Sequence, residues 1–406
     1  MINQYAITPD LPGGTRHFDF GCELVKRGYE VCIFASDINL ALRKHMRLKP
    51  GELWQEEENE GVRFIWVRAA LYEKNDWRRA WNMLSFSWNV TRVARQVRNK
   101  PDVIIGSSPH PFAALAARRL ARRSGSRFLL ELRDLWPQAL IDMGGISEPG
   151  PTASILRAIE KQLYRDAHRV IVLARGSRDY LVVRGVAPER IVYIPNGVHL
   201  GKFADGGAGE GDADHTKRPG EFGSGCFTIV YTGAHGPANS LETILRAATI
   251  LSATNKSIQF VLVGDGPSKN SLIRQSQKLG LANVIFMDPI PKERIPGFLA
   301  SADAAVITLA AVDTYSYGIS PNKLFDYMAA GKPVICAVPG DMANLVEANG
   351  AGISVKPEDP EALAEAAEKL FAMSADDRRT VGQSGRTLVA REFSRQVLID
   401  RLIGML

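Results

Sequence analysis

Cysteine is scarce in this chain. The 406 residues hold four, Cys22, Cys32, Cys226 and Cys336, with no C-x-x-C pair and no metal-ligand spacing. Cys32 and Cys336 lie inside apolar runs and read as small buried hydrophobes, which excludes a disulfide scaffold and fits a reducing compartment. Long apolar runs are absent too, none approaching the roughly 20 residues that span a bilayer. The opening MINQYAITPD has neither a charged n-region nor an apolar h-region, so no secretory leader is expected there. Neither a Walker A sequence nor a clean G-x-G-x-x-G occurs, which weighs against ATP and dinucleotide chemistry. A cytoplasmic protein is the expectation from these absences.

What remains is ordinary globular composition, 45% hydrophobic and 23% charged, in a chain long enough for two α/β units of roughly 200 residues each. The net charge of +6 is uneven: residues 1–200 carry 30 Lys and Arg against 21 Asp and Glu, and the rest is mildly acidic. A basic first half points to an anionic partner. Within it, residues 77–100 hold six basic residues, three tryptophans and no acid. That mixture suits peripheral contact with a membrane surface, against the alternative of a surface helix with a solvated basic side. Nucleic acid is disfavoured because no recognised binding motif accompanies the charge.

Short β-branched runs alternate with helical patterns, the mark of parallel sheets. Strands are expected at 31–35, 63–67, 103–106, 128–131, 170–173 and 192–195, then at 228–232, 259–263, 284–287, 304–308, 333–337 and 352–355. Ile2–Tyr5 is very short for a first strand; either that strand is stubby or the true start lies a few residues upstream. A helix is expected over 240–253 behind a Ser240 cap. Residues 201–225, rich in Gly and Asp, read as a flexible linker. The resulting expectation is a Rossmann-like domain at 1–200, the linker, a second Rossmann-like domain at 226–390, and a closing helix in 391–406 packing back toward the first. Ligands of such sheets bind beyond the carboxyl ends of the strands, here in a cleft between the domains.

Four segments stand where chemistry is expected. Gly13-Gly14-Thr15-Arg16 follows the first strand, where glycines let backbone approach an anion at a helix start; a plain tight turn is the alternative. Arg133-Asp134 closes the 128–131 strand, as a ligand group or as a structural ion pair, and His110 occupies the same topological place after 103–106. Gly233 to Ser240, with His235 and Asn239, offers a phosphate-cradling loop, and Gly264-Asp265-Gly266 a similar turn. The most informative segment is Tyr317 to Val334. Pro321 suits the first turn of a helix behind Ser320 and Gly331 its stop. Lys323 then adds a charge beside a bound diphosphate, and Asp326, one turn on, accepts hydrogen bonds from ribose. A capped helix with a solvated Lys is the competing reading.

Ser320-Pro321-Asn322-Lys323-Leu324-Phe325-Asp326 through Gly331-Lys332-Pro333-Val334 resembles the donor-binding helix of glycosyltransferase family 4, which has the two-domain GT-B fold. Gly13-Gly14, Arg133 to Pro137, Pro195 to Val198, Val263 to Pro267 and Gly350 to Gly352 fall in the family's order, so the resemblance covers nearly the whole chain. It is similar to a bacterial subgroup that builds O-antigen and capsule units, including L-fucosamine transferases. The resemblance implies an α/β GT-B enzyme that transfers an N-acetylamino sugar with retention from a UDP-sugar to a polyprenyl-diphosphate-linked saccharide at the inner membrane face. It implies no cofactor and no metal. Gly233, His235, Asn239, Gly264, Ile290, Ser320, Asn322, Lys323 and Asp326 are the donor-binding positions, and Arg133, Asp134 and Lys323 the catalytic ones. Gly13, Gly14, Thr15, Arg16 and His110 form the acceptor or phosphate side.

The chain departs from the family in three places. The usual Glu-x7-Glu pair is Gly318 and Asp326, the basic residues usual near the first phosphate loop are missing from 233–240, and Arg133 stands where many relatives have a histidine. Arg stays charged and cannot act as a base at neutral pH, so a phosphate-binding role is expected of it. Two other functions fit the same fold: a non-hydrolysing UDP-sugar 2-epimerase, and a non-catalytic nucleotide-sugar binding protein.

Overall fold

Every strand expected from the β-branched runs forms, and the pairing sorts them into two sheets. The computed structural model describes all residues except 12, 41, 74, 75, 98, 99, 204–221, 223, 224, 313, 314 and 316, so most of the expected linker lies outside the described residues. Contacts divide the chain into Met1–Pro195 with Leu398–Leu406, and Asn196–Val397.

In the first unit the strands are β1 (Cys32–Ser36), β2 (Trp54–Asn59), β3 (Val62–Val67), β4 (Val103–Ser107), β5 (Arg127–Leu132), β6 (Arg169–Val172) and β7 (Ile191–Tyr193). They pair as β1-β3-β2 and β4-β5-β6-β7. Ile2 joins the two groups, bridging in parallel to Phe34 of β1 and to Gly106 of β4. The first strand is thus a stub that nevertheless marks where the order of the sheet reverses. The run Trp-Gln-Glu-Glu-Glu-Asn was not expected as a strand, yet β2 pairs antiparallel to β3 over six residues. Glu60 and Gly61, with φ of 49° and 76°, supply the left-handed turn such a hairpin needs. Its three glutamates sit at the sheet edge, where charge blocks further strand addition. The closing helix Arg395–Ile403 buries Leu398, Ile399 and Leu402 in this unit's core beside Ile33, Phe64 and Leu129.

The second unit holds β8 (Phe227–Thr232), β9 (Ile258–Val263), β10 (Val284–Met287), β11 (Ala304–Thr308), β12 (Val334–Ala337) and β13 (Gly352–Ser354). All are parallel in the order β10-β9-β8-β11-β12-β13, the doubly wound dinucleotide-fold order, whose reversal between β8 and β11 opens a crevice at their carboxyl ends. β8, β9, β11 and β12 are buried at every position, as strands covered on both faces must be.

Two helix starts differ from expectation. Ser240 does not cap the helix Glu242–Thr254; it takes a left-handed turn (φ 46°) at the end of the 3-10 turn Pro237–Asn239, its hydroxyl turned to Thr243 and Glu358. Pro321 is the extended residue before the helix Asn322–Ala329 rather than part of its first turn. Ser320 instead receives the Asn196 backbone N–H on its hydroxyl at 2.7 Å. In both cases a partner distant in sequence outcompetes the local cap.

The helix Asn322–Ala329 is held from behind by the helix Ala375–Leu388, where a Cβ on Gly382 would lie 1.8 Å from the Gly331 carbonyl oxygen. Gly382→Ala is therefore expected to destabilise the protein by about 1–3 kcal/mol through overpacking. A lowered urea midpoint at unchanged slope checks it, and a wild-type midpoint would show that the helix shifts without strain.

Candidate functional site

At the β8–β11 reversal, two loops meet backbone to backbone. Gly233 follows β8 and Gly264 follows β9; a Cβ on Gly264 (φ 148°) would sit 1.8 Å from the Gly233 carbonyl oxygen, so no other residue fits. The His235 N–H donates to Asp265 O (2.8 Å) and Ser268 N–H to His235 O (2.9 Å), locking the two loops together. The Thr308 hydroxyl, at the end of β11, donates to Asn239 O (2.6 Å) and fixes the far side of the first loop.

Into this frame the helix Asn322–Ala329 brings Lys323. Its Nζ donates to Tyr231 Oη (2.7 Å) and Asn239 Oδ1 (2.9 Å) and lies 4.3 Å above the Tyr231 ring. Among the described residues no carboxylate pairs with it. Desolvation without a compensating charge pushes the amine down to about 7. Neutral oxygens aim the amine but leave its charge unanswered, and the amino end of a helix adds partial positive charge nearby. The arrangement leaves a positive centre whose charge no described side chain answers. Asp326, one turn along, is half-buried, its carboxylate makes no hydrogen bond with a described residue, and it is raised to about 6 by desolvation against the pull of Arg395 and Lys202. A hydroxyl donor would satisfy it.

The structure brings together Gly233, His235, Asn239, Gly264 and Lys323. His235 is fully buried between Tyr231 and Phe286, both ring nitrogens without a hydrogen-bond partner among the described residues, and burial lowers its basicity. Ser320 is engaged by Asn196, Asn322 is exposed at the helix start, and Ile290 is half-buried in the loop after β10. Tyr231 and Tyr327 were not singled out from the sequence. Tyr327 Oη accepts the Thr232 N–H (2.8 Å) and ties the helix to β8. A tyrosine inside an apolar strand needs a partner for its hydroxyl, and that requirement was the available signal for Tyr231.

In the first unit the residues separate into inward and outward groups. Arg16 turns inward: its guanidinium donates to Glu131 Oε1 (3.0 Å), Ile194 O (2.9 Å) and Pro195 O, and stacks over Phe20. His17 contacts the other Glu131 oxygen at 2.8 Å, with Ser107 donating to that same oxygen and Asn3 reaching the ring. Desolvation alone would raise Glu131, but His17 and Arg16 outweigh it and hold the carboxyl well below its usual range. Arg16 is thus occupied in the core instead of open to a phosphate. His110 is also buried, bonded to Gln4 (2.7 Å), and desolvation drops it to about 3, so it stays neutral inside the unit. Thr15 bonds Asp19, Gly13 packs on Ile7, Gly14 is exposed, and Pro12 lies outside the described residues.

Arg133 and Asp134 remain outward at the end of β5. Ser108 Oγ accepts both their backbone N–H groups (2.7 and 3.3 Å), tying the β4 and β5 ends together. Neither side chain makes a hydrogen bond or ion pair with a described residue. The structural ion pair weighed for Arg133 does not form. Among the described residues no three His, Cys, Asp or Glu side chains gather as metal ligands.

Residues 14–197 match the glycosyl transferase 4-like domain, and residues 226–373 the glycosyl transferases group 1 domain. The chain is similar to the putative colanic acid biosynthesis glycosyl transferase WcaI of Escherichia coli (strain K12), 26% identical over 358 residues that cover 86% of each. It is also similar to the probable glycosyltransferase WbjE of Pseudomonas aeruginosa, 23% identical over 78% of this chain and 76% of that one. Among solved structures, Anabaena Alr3699/HepE in complex with UDP aligns at TM-score 0.71 and 16% identity, covering 99% of this chain and 98% of that one. Sucrose-phosphate synthase from Thermosynechococcus elongatus aligns at 0.70 and 20%, covering 97% and 92%. The fold is GT-B, two Rossmann-like α/β domains in one chain.

The isolated Lys323 has a consequence for stability. Its amine is depressed from 10.5 to about 7 in the folded protein, so between those values the unfolded chain binds the extra proton and stability rises with pH. In Lys323→Met that contribution disappears. Urea titrations at pH 7 and 9.5 should show wild type gaining on the variant as pH rises; parallel curves would show an amine that is not depressed.

Proposed function

This chain belongs to the glycosyltransferases built from a 4-like domain followed by a group 1 domain, and on that footing we propose that it transfers a sugar from a UDP-sugar to a polyprenyl-diphosphate-linked saccharide in surface polysaccharide synthesis. The observation that carries the reading is Lys323, a half-buried amine without a counter-charge among the described residues, aimed across two glycine loops at the sheet's reversal point. A diphosphate supplies the missing charge. Stabilising the departing UDP in this way is electrostatic catalysis at the place where charge develops. The UDP complex of the similar Anabaena protein and the assignment of WcaI to colanic acid biosynthesis support the donor and the pathway class.

In this reading the acceptor oxygen bonds to the anomeric carbon as the bond from that carbon to the phosphate oxygen breaks. The acceptor proton passes to the leaving phosphate on the same face, giving retention without a metal. Arg133 cannot take that proton, being permanently charged, and binds phosphate instead; Asp134 lies beside it. Asp326 holds the ribose. The donor sugar, on the resemblance to the L-fucosamine transferase subgroup, is an N-acetylamino sugar such as N-acetyl-L-fucosamine, and Gly318 leaves it without the contact of the family's first glutamate.

Membrane contact is part of the proposal. The helix Trp77–Val93 buries Met83, Phe86, Val90 and Val93, and leaves Trp77, Trp81, Leu84 and Trp88 exposed at 70, 56, 41 and 65%. Their spacing of four, three and four places them on one face. Exposed Arg78, Arg92 and Arg95 complement anionic headgroups. Among the described residues no helix is long and apolar enough to cross a membrane.

Two measurements test these statements. UDP should bind without magnesium, with Lys323→Ala weakening it about tenfold or more. Because the diphosphate lifts the amine from about 7 back toward its ordinary 10.5, binding at pH 8 should take up close to one proton, read by calorimetry in buffers of different ionisation enthalpy. Wild-type affinity in the variant removes Lys323 from the site, and UDP-sugar conversion with no acceptor present would mean an epimerase. Separately, the Trp77→Ser/Trp81→Ser/Trp88→Ser variant should lose co-sedimentation with phosphatidylglycerol vesicles while keeping UDP affinity. Retained sedimentation would return that face to solvent.

A further inference from the structure

The first unit holds a second polar constellation, apart from the residues discussed so far. After β1 the chain folds back on itself. Asn39 N–H donates to Lys44 O (3.3 Å), Met46 N–H to Asp37 O (2.8 Å), and Ile38 pairs antiparallel with His45. Asn39 Oδ1 takes the Leu42 N–H (3.1 Å) near the tip, where Arg43 is left-handed at φ 52°. This small hairpin returns His45 to the side of Asp37, the first residue beyond β1.

Asp37 is fully buried. Its Oδ2 lies 2.7 Å from His45 Nδ1, while Oδ1 is buried with no hydrogen-bond partner among the described residues. Desolvation raises this carboxyl, and the contact with His45 opposes the rise. An apolar pair would close the same hairpin without removing a carboxylate from water. What the carboxylate adds is orientation: accepting from Nδ1–H, it fixes the ring and leaves Nε2 as a hydrogen-bond acceptor. The His45 side chain keeps 23% of its surface accessible, so that acceptor can meet a ligand.

The position is also telling. The hairpin starts at the carboxyl end of β1, the same edge of the sheet that carries Arg133 after β5. Arg47, two residues past His45, donates to Thr8 Oγ1 (3.3 Å) and pairs with Asp10, fastening the hairpin to the loop that leads into Gly13-Gly14. Exposed Leu40 and Leu42 give the hairpin an apolar rim, suited to a saccharide that carries a lipid.

We propose that His45, oriented by Asp37, is an acceptor-binding residue whose Nε2 takes a hydrogen bond from a hydroxyl of the acceptor saccharide. This rests on reading the chain as a glycosyltransferase with its acceptor on the first unit. The test uses the full chain labelled with 15N-histidine, with the His45 imidazole signals assigned through His45→Gln. The probes are methyl β-glucoside, methyl β-galactoside, methyl α-mannoside and methyl N-acetyl-β-glucosaminide. The free protein should show His45 protonated on Nδ1, and at least one glycoside should move its Nε2 resonance. His45→Gln should weaken that glycoside about five- to tenfold. Asp37→Asn should weaken it too, with a mixture of His45 tautomers. UDP affinity should be unchanged in both variants. A Nε2 resonance unmoved by all four probes, or wild-type glycoside affinity in His45→Gln, overturns the proposal. Failure of UDP to bind while the His45 response persists would instead overturn the donor reading alone.

Discussion

A protonated amine partly withdrawn from water needs a negative partner, and the second unit is organised around one that has none among the described residues. Lys323 is turned away from bulk solvent toward Tyr231 and Asn239, neutral groups that set its direction without supplying charge. Its placement needs several features at once. The strand order must reverse between β8 and β11, so that a helix following β11 begins beside the loop following β8. The loops after β8 and β9 must touch through their backbones, which only glycine at 264 allows. Tyr327 must anchor the helix to Thr232 and the helix Ala375–Leu388 must press on it at Gly331. Each of these contacts is an ordinary packing or hydrogen-bonding event. Together they hold a lysine whose amine is depressed because no described charge answers it.

The first unit treats its charges in the opposite way. Arg16, His17, Glu131, Ser107 and Asn3 form a closed network at the strand ends, each charge answered inside the fold. Such a network fixes the carboxyl ends of β4 and β5 in place, as buried and fully paired groups do. Arg133 follows on the same strand and is left without a side-chain partner among the described residues. The contrast separates an arginine paired inside the fold from one whose side chain no described residue pairs, although both stand beside a strand end.

Much of this architecture is legible in the residues. The β-branched runs mark twelve of the strands, because strands covered on both faces must be apolar along their length. β2 escapes, since its glutamates belong to an edge strand and read as a loop. Gly233, Gly264, Asn239 and Lys323 are visible as turn and helix-start chemistry before any contact is known. Ser240 and Pro321 mislead, because a local cap is one use of such residues and a distant partner took each of their neighbourhoods instead. Arg16 and His110 sit at the right topological level, yet their side chains point into the core.

By itself the sequence determined the parallel strands of both sheets, the helix that starts just before Lys323, and the basic, tryptophan-bearing stretch of Trp77–Val93, all of which follow from local periodicity and turn chemistry. Only the tertiary structure decided which charged groups are answered. Glu131 lies 115 residues from Arg16, and Tyr231 lies 92 residues from Lys323. No local pattern encodes which polar groups become neighbours across such distances. That pairing is set when the strands take their order, and it separates Arg16, held inside the fold, from Arg133 and Lys323, which no described carboxylate pairs.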